Sequence, residues 1–98
     1  MDSKQLENNL SHFFHACTQK GYPIEQYCII ENTTDFTLEV KSNWIDKMDS
    51  CSQVLDILLP ILWEQTDIET RKHLFAISVL DFNEQPNCFE ELTVKNAN

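Results

Sequence analysis

One glycine serves the whole chain, and it stands at position 21. A loop that cradles phosphate against bare backbone needs several glycines, so Walker-type and Rossmann-type nucleotide sites are excluded at the outset. The position of Gly21 also ends an element. Leu6, Leu10, Phe13, Phe14 and Cys17 precede it at i, i+4, i+7, i+8 and i+11, one apolar stripe of a helix. The spacing predicts a helix over residues 3–20. Asp2 and Gln5 form a capping box at its start; Gly21 takes the C-terminal cap position, and Pro23 stands beyond it.

A hairpin is expected next. Gln26-Tyr27-Cys28-Ile29-Ile30 is a β-preferring run apolar on both faces, which reads as a central strand. Phe36-Thr37-Leu38-Glu39-Val40 alternates strictly, with Phe36, Leu38 and Val40 inward and Thr37, Glu39 and Lys41 toward water. Asn32-Thr33-Thr34-Asp35 supplies turn chemistry between them.

A second helix is predicted over residues 50–65, with Asp49 or Ser50 as its cap and Ser50 and Gln53 able to form a capping box. The 4-3-4-3-4 spacing of Trp44, Met48, Cys51, Leu55, Leu58 and Leu62 allows an earlier start. Pro60 lies inside and removes the bond to the Asp56 carbonyl, which predicts a kink. Residues 73–82 fit a buried strand better than a helix running on from Asp67. After the turn Asn83-Glu84-Gln85-Pro86-Asn87, a short return strand over Cys88 to Val94 would sit at the sheet edge.

The fold class expected is α+β: a two-layer sandwich in the order α-β-β-α-β, with an optional final β. The sheet is small and mostly antiparallel, with two helices on one face. The crossover through the second helix makes strands 2 and 3 parallel, and strand 1 is expected between them. Residues 1–98 read as a single domain, with 95–98 as a frayed tail.

Sixteen acids against seven bases give a formal net charge of −9. The basic residues are scattered, only Arg71 and Lys72 adjoining, which argues against nucleic acid and against an anionic membrane. The longest apolar run, residues 57–63, is far short of the ~18 residues a membrane helix needs. The polar N-terminus shows no signal-peptide core. Cys17, Cys28, Cys51 and Cys88 therefore read as free thiols of a reducing compartment, and the expected location is cytoplasmic.

Candidate chemistry is sparse. His12 and His15 lie three apart on the first helix, off its apolar stripe, and read as solvated, as does His73. Cys51 at a helix N-terminus would have a lowered thiol pKa, but it also fits the apolar stripe. Asp49-Ser50-Cys51, opening an apolar helix in a small acidic chain, resembles the Asp-Ser-Leu attachment site of acyl carrier proteins over three residues, one of them different. That family is all-helical, whereas a hairpin precedes the motif here, and Ser50 serves as an ordinary cap. No cofactor, metal or catalytic residue is expected.

The feature left over is apolar. The second helix carries apolar residues around roughly 240° of its circumference, where one sheet face needs ~100° or a little more. Leu59 and Trp63 form the excess at one margin, with Trp44 nearby in sequence. These three are the candidate interface. Glu31, Asp35, Glu39, Asp81 and Glu84 are the candidate acidic docking residues. The function expected is a small, acidic, non-enzymatic protein-interaction module of inhibitor, immunity or adaptor type. Its partner would be a protein, basic in character, or a second copy in a homodimer. The alternatives are a ligand-binding or enzymatic domain with a pocket between the second helix and the sheet, lined by Tyr27, Trp63 and a cysteine, and an acidic DNA mimic.

Overall fold

The computed structural model describes residues 2–81, 83 and 86–92 of the chain. The predicted first helix forms as α1 (Ser3–Asn9) and α2 (Ser11–Gln19), joined at Leu10. The Leu10 N–H donates to the Leu6 carbonyl at 2.9 Å, and Phe14 donates to the Leu10 carbonyl at 3.0 Å. The apolar stripe therefore continues through the joint, and Leu6, Leu10, Phe13, Ala16 and Cys17 are all buried. Asp2 caps α1 by accepting from the Gln5 N–H at 2.8 Å. At the other end Gly21 has φ of 90°, a conformation side chains resist. The Gly21 N–H reaches the Thr18 carbonyl at 3.1 Å and the Tyr22 N–H reaches Cys17 at 2.8 Å, the paired bonds of a Schellman cap.

Four strands make one sheet in the order β1-β2-β3-β4: β1 (Gln26–Glu31), β2 (Phe36–Lys41), β3 (Leu74–Leu80) and β4 (Pro86–Glu91). The two hairpin pairings are antiparallel and β2–β3 is parallel. The expected α+β sandwich, mostly antiparallel sheet and helices against one face all hold. The placing of strand 1 between strands 2 and 3 does not: β1 is an edge strand, and β2 pairs directly with β3. An apolar run on both faces of a strand reports what lies above and below the sheet. It carries no information on what lies beside the strand within the sheet plane.

Register assigns the two faces. Phe36, Leu38 and Val40 of β2 share the helix side with Ile77 and Val79 of β3, and all five are buried. Tyr27 and Ile29 of β1 and Cys88 of β4 lie on the same side. The opposite, helix-free face carries Cys28, Ile30, Glu39, Lys41, Ala76, Ser78 and Phe89.

Between β2 and β3 the chain forms α3 (Asn43–Asp46), α4 (Cys51–Gln65) and α5 (Ile68–His73). The predicted second helix is α4. Trp44 belongs to the separate turn α3, because the chain leaves helical conformation before the Ser50 cap. Ser50 Oγ accepts from the Gln53 N–H at 3.4 Å. The helix continues through Pro60 to Gln65. A helix does run on from Asp67, but only to His73, and the predicted strand begins at Leu74.

Two of the four cysteines are not free. Cys51 and Cys88 form a disulfide with Cα atoms 5.7 Å apart. Thiols 37 residues apart are brought together because β4 turns Cys88 toward the first turn of α4, a meeting that spacing along the chain does not reveal. The pairing also removes half of the thiol argument for a reducing compartment. Cys17 (buried) and Cys28 (exposed) remain unpaired. No helix among the described residues is long and apolar enough to cross a membrane. Val94, the expected end of the return strand, the expected frayed tail 95–98 and Glu84 lie outside the described residues.

Candidate interaction surfaces

The core-facing stripe of α4 is Val54, Leu58, Ile61 and Leu62, each at most 5% exposed. Leu55, Leu59 and Trp63 lie along one flank of that stripe, half-buried and packed against the core. The flank's outer margin is Leu59 and Trp63, the two residues singled out from the helical wheel.

Trp63 is held from a direction the sequence did not suggest. Arg71 lies over its ring, with the guanidinium carbon 5.1 Å from the centroid. The same guanidinium donates through Nη1 to the Trp63 carbonyl at 3.1 Å and to the Thr66 carbonyl. Thr66 Oγ1 donates to the Leu62 carbonyl. Arg71 and Thr66 thus satisfy carbonyls at the end of α4, where a cation also suits the helix dipole. Arg71 is presented by α5, whose N-cap Asp67 accepts from the Thr70 N–H at 2.8 Å. The Thr70 side chain and, after it, that backbone bond hold the Asp67 carboxyl below its ordinary pKa of 3.8. Sequence carried a signal for this helix: Asp67 three residues before Thr70, Glu69 in the first turn, and Arg71, Lys72 and His73 in the last.

Trp44 sits elsewhere. Its indole N–H donates to the Pro23 carbonyl at 2.9 Å and its ring meets Tyr22 at 5.1 Å. That places it beside the end of α2 and the approach to α4, whereas Trp63 is about 18 Å along α4 from Cys51. The three candidate interface residues divide into a Leu59–Trp63 pair and a separate Trp44. Buried Ser42 anchors the Trp44 region: its Oγ donates to the Pro23 carbonyl at 2.7 Å and accepts from the Glu25 N–H at 2.8 Å.

The candidate acidic residues also separate. Glu31 and Asp35 share the hairpin end, where Asp35 accepts from the Asn32 side chain at 3.0 Å. Glu39 lies mid-sheet on the helix-free face. Asp81 is at the far end of β3, about 20 Å from Asp35, in a cleft with Asp46, Asp49 and Cys51.

The expected pocket of Tyr27, Trp63 and a cysteine does not assemble. Tyr27 and Cys28 line an open cleft with Gln26, Glu39, Val40, Lys41 and Leu80, and Trp63 is not part of it. His12 and His15 are exposed, His73 is half-buried, and no metal-holding cluster occurs among the described residues. Cys17 is fully buried, and burial pushes its thiol up to about 11. Cys51 is bound in the disulfide, and Ser50 is the helix cap.

The edge of β1 is a surface that the sequence reading missed, because β1 was expected inside the sheet. All its residues except Ile29 are exposed, including Tyr27 at 41% and Ile30 at 38%. Tyr27 stacks on Phe14 at 4.3 Å, and burial together with the Glu7 carboxylate, to which it hydrogen-bonds, raises the hydroxyl above its ordinary pKa. Comparison with known proteins finds no matching family model, no matching curated protein and no matching solved structure.

Proposed function

We propose that this chain is a non-enzymatic protein-interaction module that docks a partner protein, or a second copy of itself, through the outer flank of α4. The observation that carries this reading is Leu59 and Trp63, half-buried on a helix whose core stripe is already complete without them. Full burial of each would yield about 1.5–3 kcal/mol of hydrophobic stabilisation, which remains partly available for a partner. Tryptophan is enriched among residues that dominate binding energy. Exposed Asp56 and Glu64 on the same helix, within a chain of net charge −9, would favour encounter with a basic surface.

The test pairs Trp63→Ala with Leu59→Ser. Both are expected to keep the cooperative melting transition. Both are expected to weaken association, for Trp63→Ala by at least about thirtyfold. Light scattering reads self-association; pull-down from the source cell at low and high salt reads a charged partner. Unchanged mass and unchanged capture in both variants would refute the reading.

A further inference from the structure

Among the described residues no strand pairs with the outer edge of β1, and the backbone groups along that edge follow a defined pattern. In the β1–β2 hairpin the Asn32 N–H donates to the Asp35 carbonyl at 2.8 Å, closing a hydrogen-bonded pair at the turn. Such pairs alternate along an antiparallel ladder. With the register Ile30–Thr37, Cys28–Glu39 and Gln26–Lys41, those residues spend their N–H and C=O groups on β2. The N–H and C=O groups of Tyr27, Ile29 and Glu31 then point out of the sheet.

Natural edges are guarded by proline, inward or flanking lysine, a bulge or a covering segment. β1 has no proline and no lysine, and its six-pair register with β2 is unbroken. Beside it runs a groove whose far wall is α1, lined by Ser3, Lys4, Glu7, Tyr27, Cys28 and Ile29. A strand laid there would place alternate side chains on the helix side, against Tyr27, Ile29 and Glu31. The others would lie on the open face beside Cys28 and Ile30. The groove lining carries one carboxylate, Glu7, and one cation, Lys4; exposed Glu31 at the end of β1 adds a second carboxylate along the same edge.

We propose that the β1 edge and its groove with α1 bind an extended basic segment of a partner protein as a fifth strand, with Lys or Arg alternating with β-branched residues. This rests on the interaction reading above and gives the partner a chemistry. Main-chain bonds to Tyr27, Ile29 and Glu31 supply affinity, the carboxylates select basic side chains, and Ile30 and Cys28 select β-branched ones. A second copy is the less suited occupant, because it would bring a second charge of −9 against the same edge.

The probe is a capped seven-residue peptide of alternating lysine and valine, beginning and ending in lysine, titrated into the isotope-labelled whole chain and followed by NMR. Amide exchange at Tyr27, Ile29 and Glu31 is expected to slow by at least about tenfold on saturation. N-methylation of the two inner lysines, whose N–H groups face β1 when the peptide pairs antiparallel with its lysines on the helix side, is expected to weaken binding by at least about tenfold, as is replacing every lysine by glutamate. Neither control perturbs the protein fold. Equal affinity of the N-methylated peptide would overturn the proposal in favour of charge attraction alone. So would no binding, shifts confined to α4, or protection of the same three amides in a peptide-free dimer. Failure here with a Trp63-dependent association intact removes the edge site and leaves the interaction reading standing; failure of both removes both.

Discussion

The two edges of the sheet are built by opposite strategies. β4 begins with a proline, meets β3 through a register shift between Val79 and Leu80, and is tied to α4 by the Cys51–Cys88 disulfide. β1 has none of these, pairs with β2 without interruption, and exposes five of its six residues. Both lie beside the same buried centre of Leu38, Val40, Ile77 and Val79. The difference teaches that edge protection is local. One sheet has a covalently fixed edge with an irregular register on one side and an untethered edge with an unbroken register on the other.

Breaking the tether should have the largest effect. The double substitution Cys51→Ser with Cys88→Ser is expected to cost about 4 kcal/mol, the loop entropy released by a cross-link between residues 37 apart. Urea melts check it, and a thiol count on the unfolded unreduced chain should return Cys17 and Cys28 only. Four reactive thiols there would remove the contrast between the edges.

Thiol labelling sharpens the other side of the comparison. Cys28 is exposed on β1, whereas Cys17 is fully buried with its thiol pushed up to about 11. At pH 8 iodoacetamide should modify Cys28 at least about a hundredfold faster than Cys17, read by mass spectrometry of digested protein. Comparable rates would mean that the β1 edge is covered.

A smaller effect is expected for Ile29→Ala, about 1 kcal/mol, since Ile29 is half-buried on the helix side of an edge strand. A loss as large as that of a fully buried leucine would place β1 within the core rather than beside it. The smallest effect concerns the route into β3. Because the Asp67 carboxyl is held below its ordinary value, its cap on α5 contributes fully above pH 3.8. That contribution fades as pH falls through the lowered folded value. Asp67→Ala should lower the melting temperature by only a few degrees at pH 7 and by less at pH 2. An equal shift at both pH values would show that the carboxylate is not the cap.

Helix ends were well marked in the sequence. Asp2, Gly21 and Ser50 each bring a cap whose chemistry is complete within six residues, and each forms as expected. The alternation of β2 and the β-branched run of β3 were equally readable, because each reports burial on one face or two. The α4 excess at Leu59 and Trp63 was visible on a helical wheel, but its cover was not. Arg71 reaches Trp63 only because α5 turns the chain back over the end of α4.

Sequence by itself determined the main helices and strands, the inward faces of the first helical stretch, α4, β2 and β3, and a net charge of −9 without a phosphate-binding loop. These follow from local periodicity and composition, which need no knowledge of distant residues. The tertiary structure decided which strand is an edge, which cysteines meet, and which tryptophan Arg71 covers. Each of these depends on residues far apart in the chain arriving at one place. Strand order in the sheet plane leaves no periodic mark on the residues themselves.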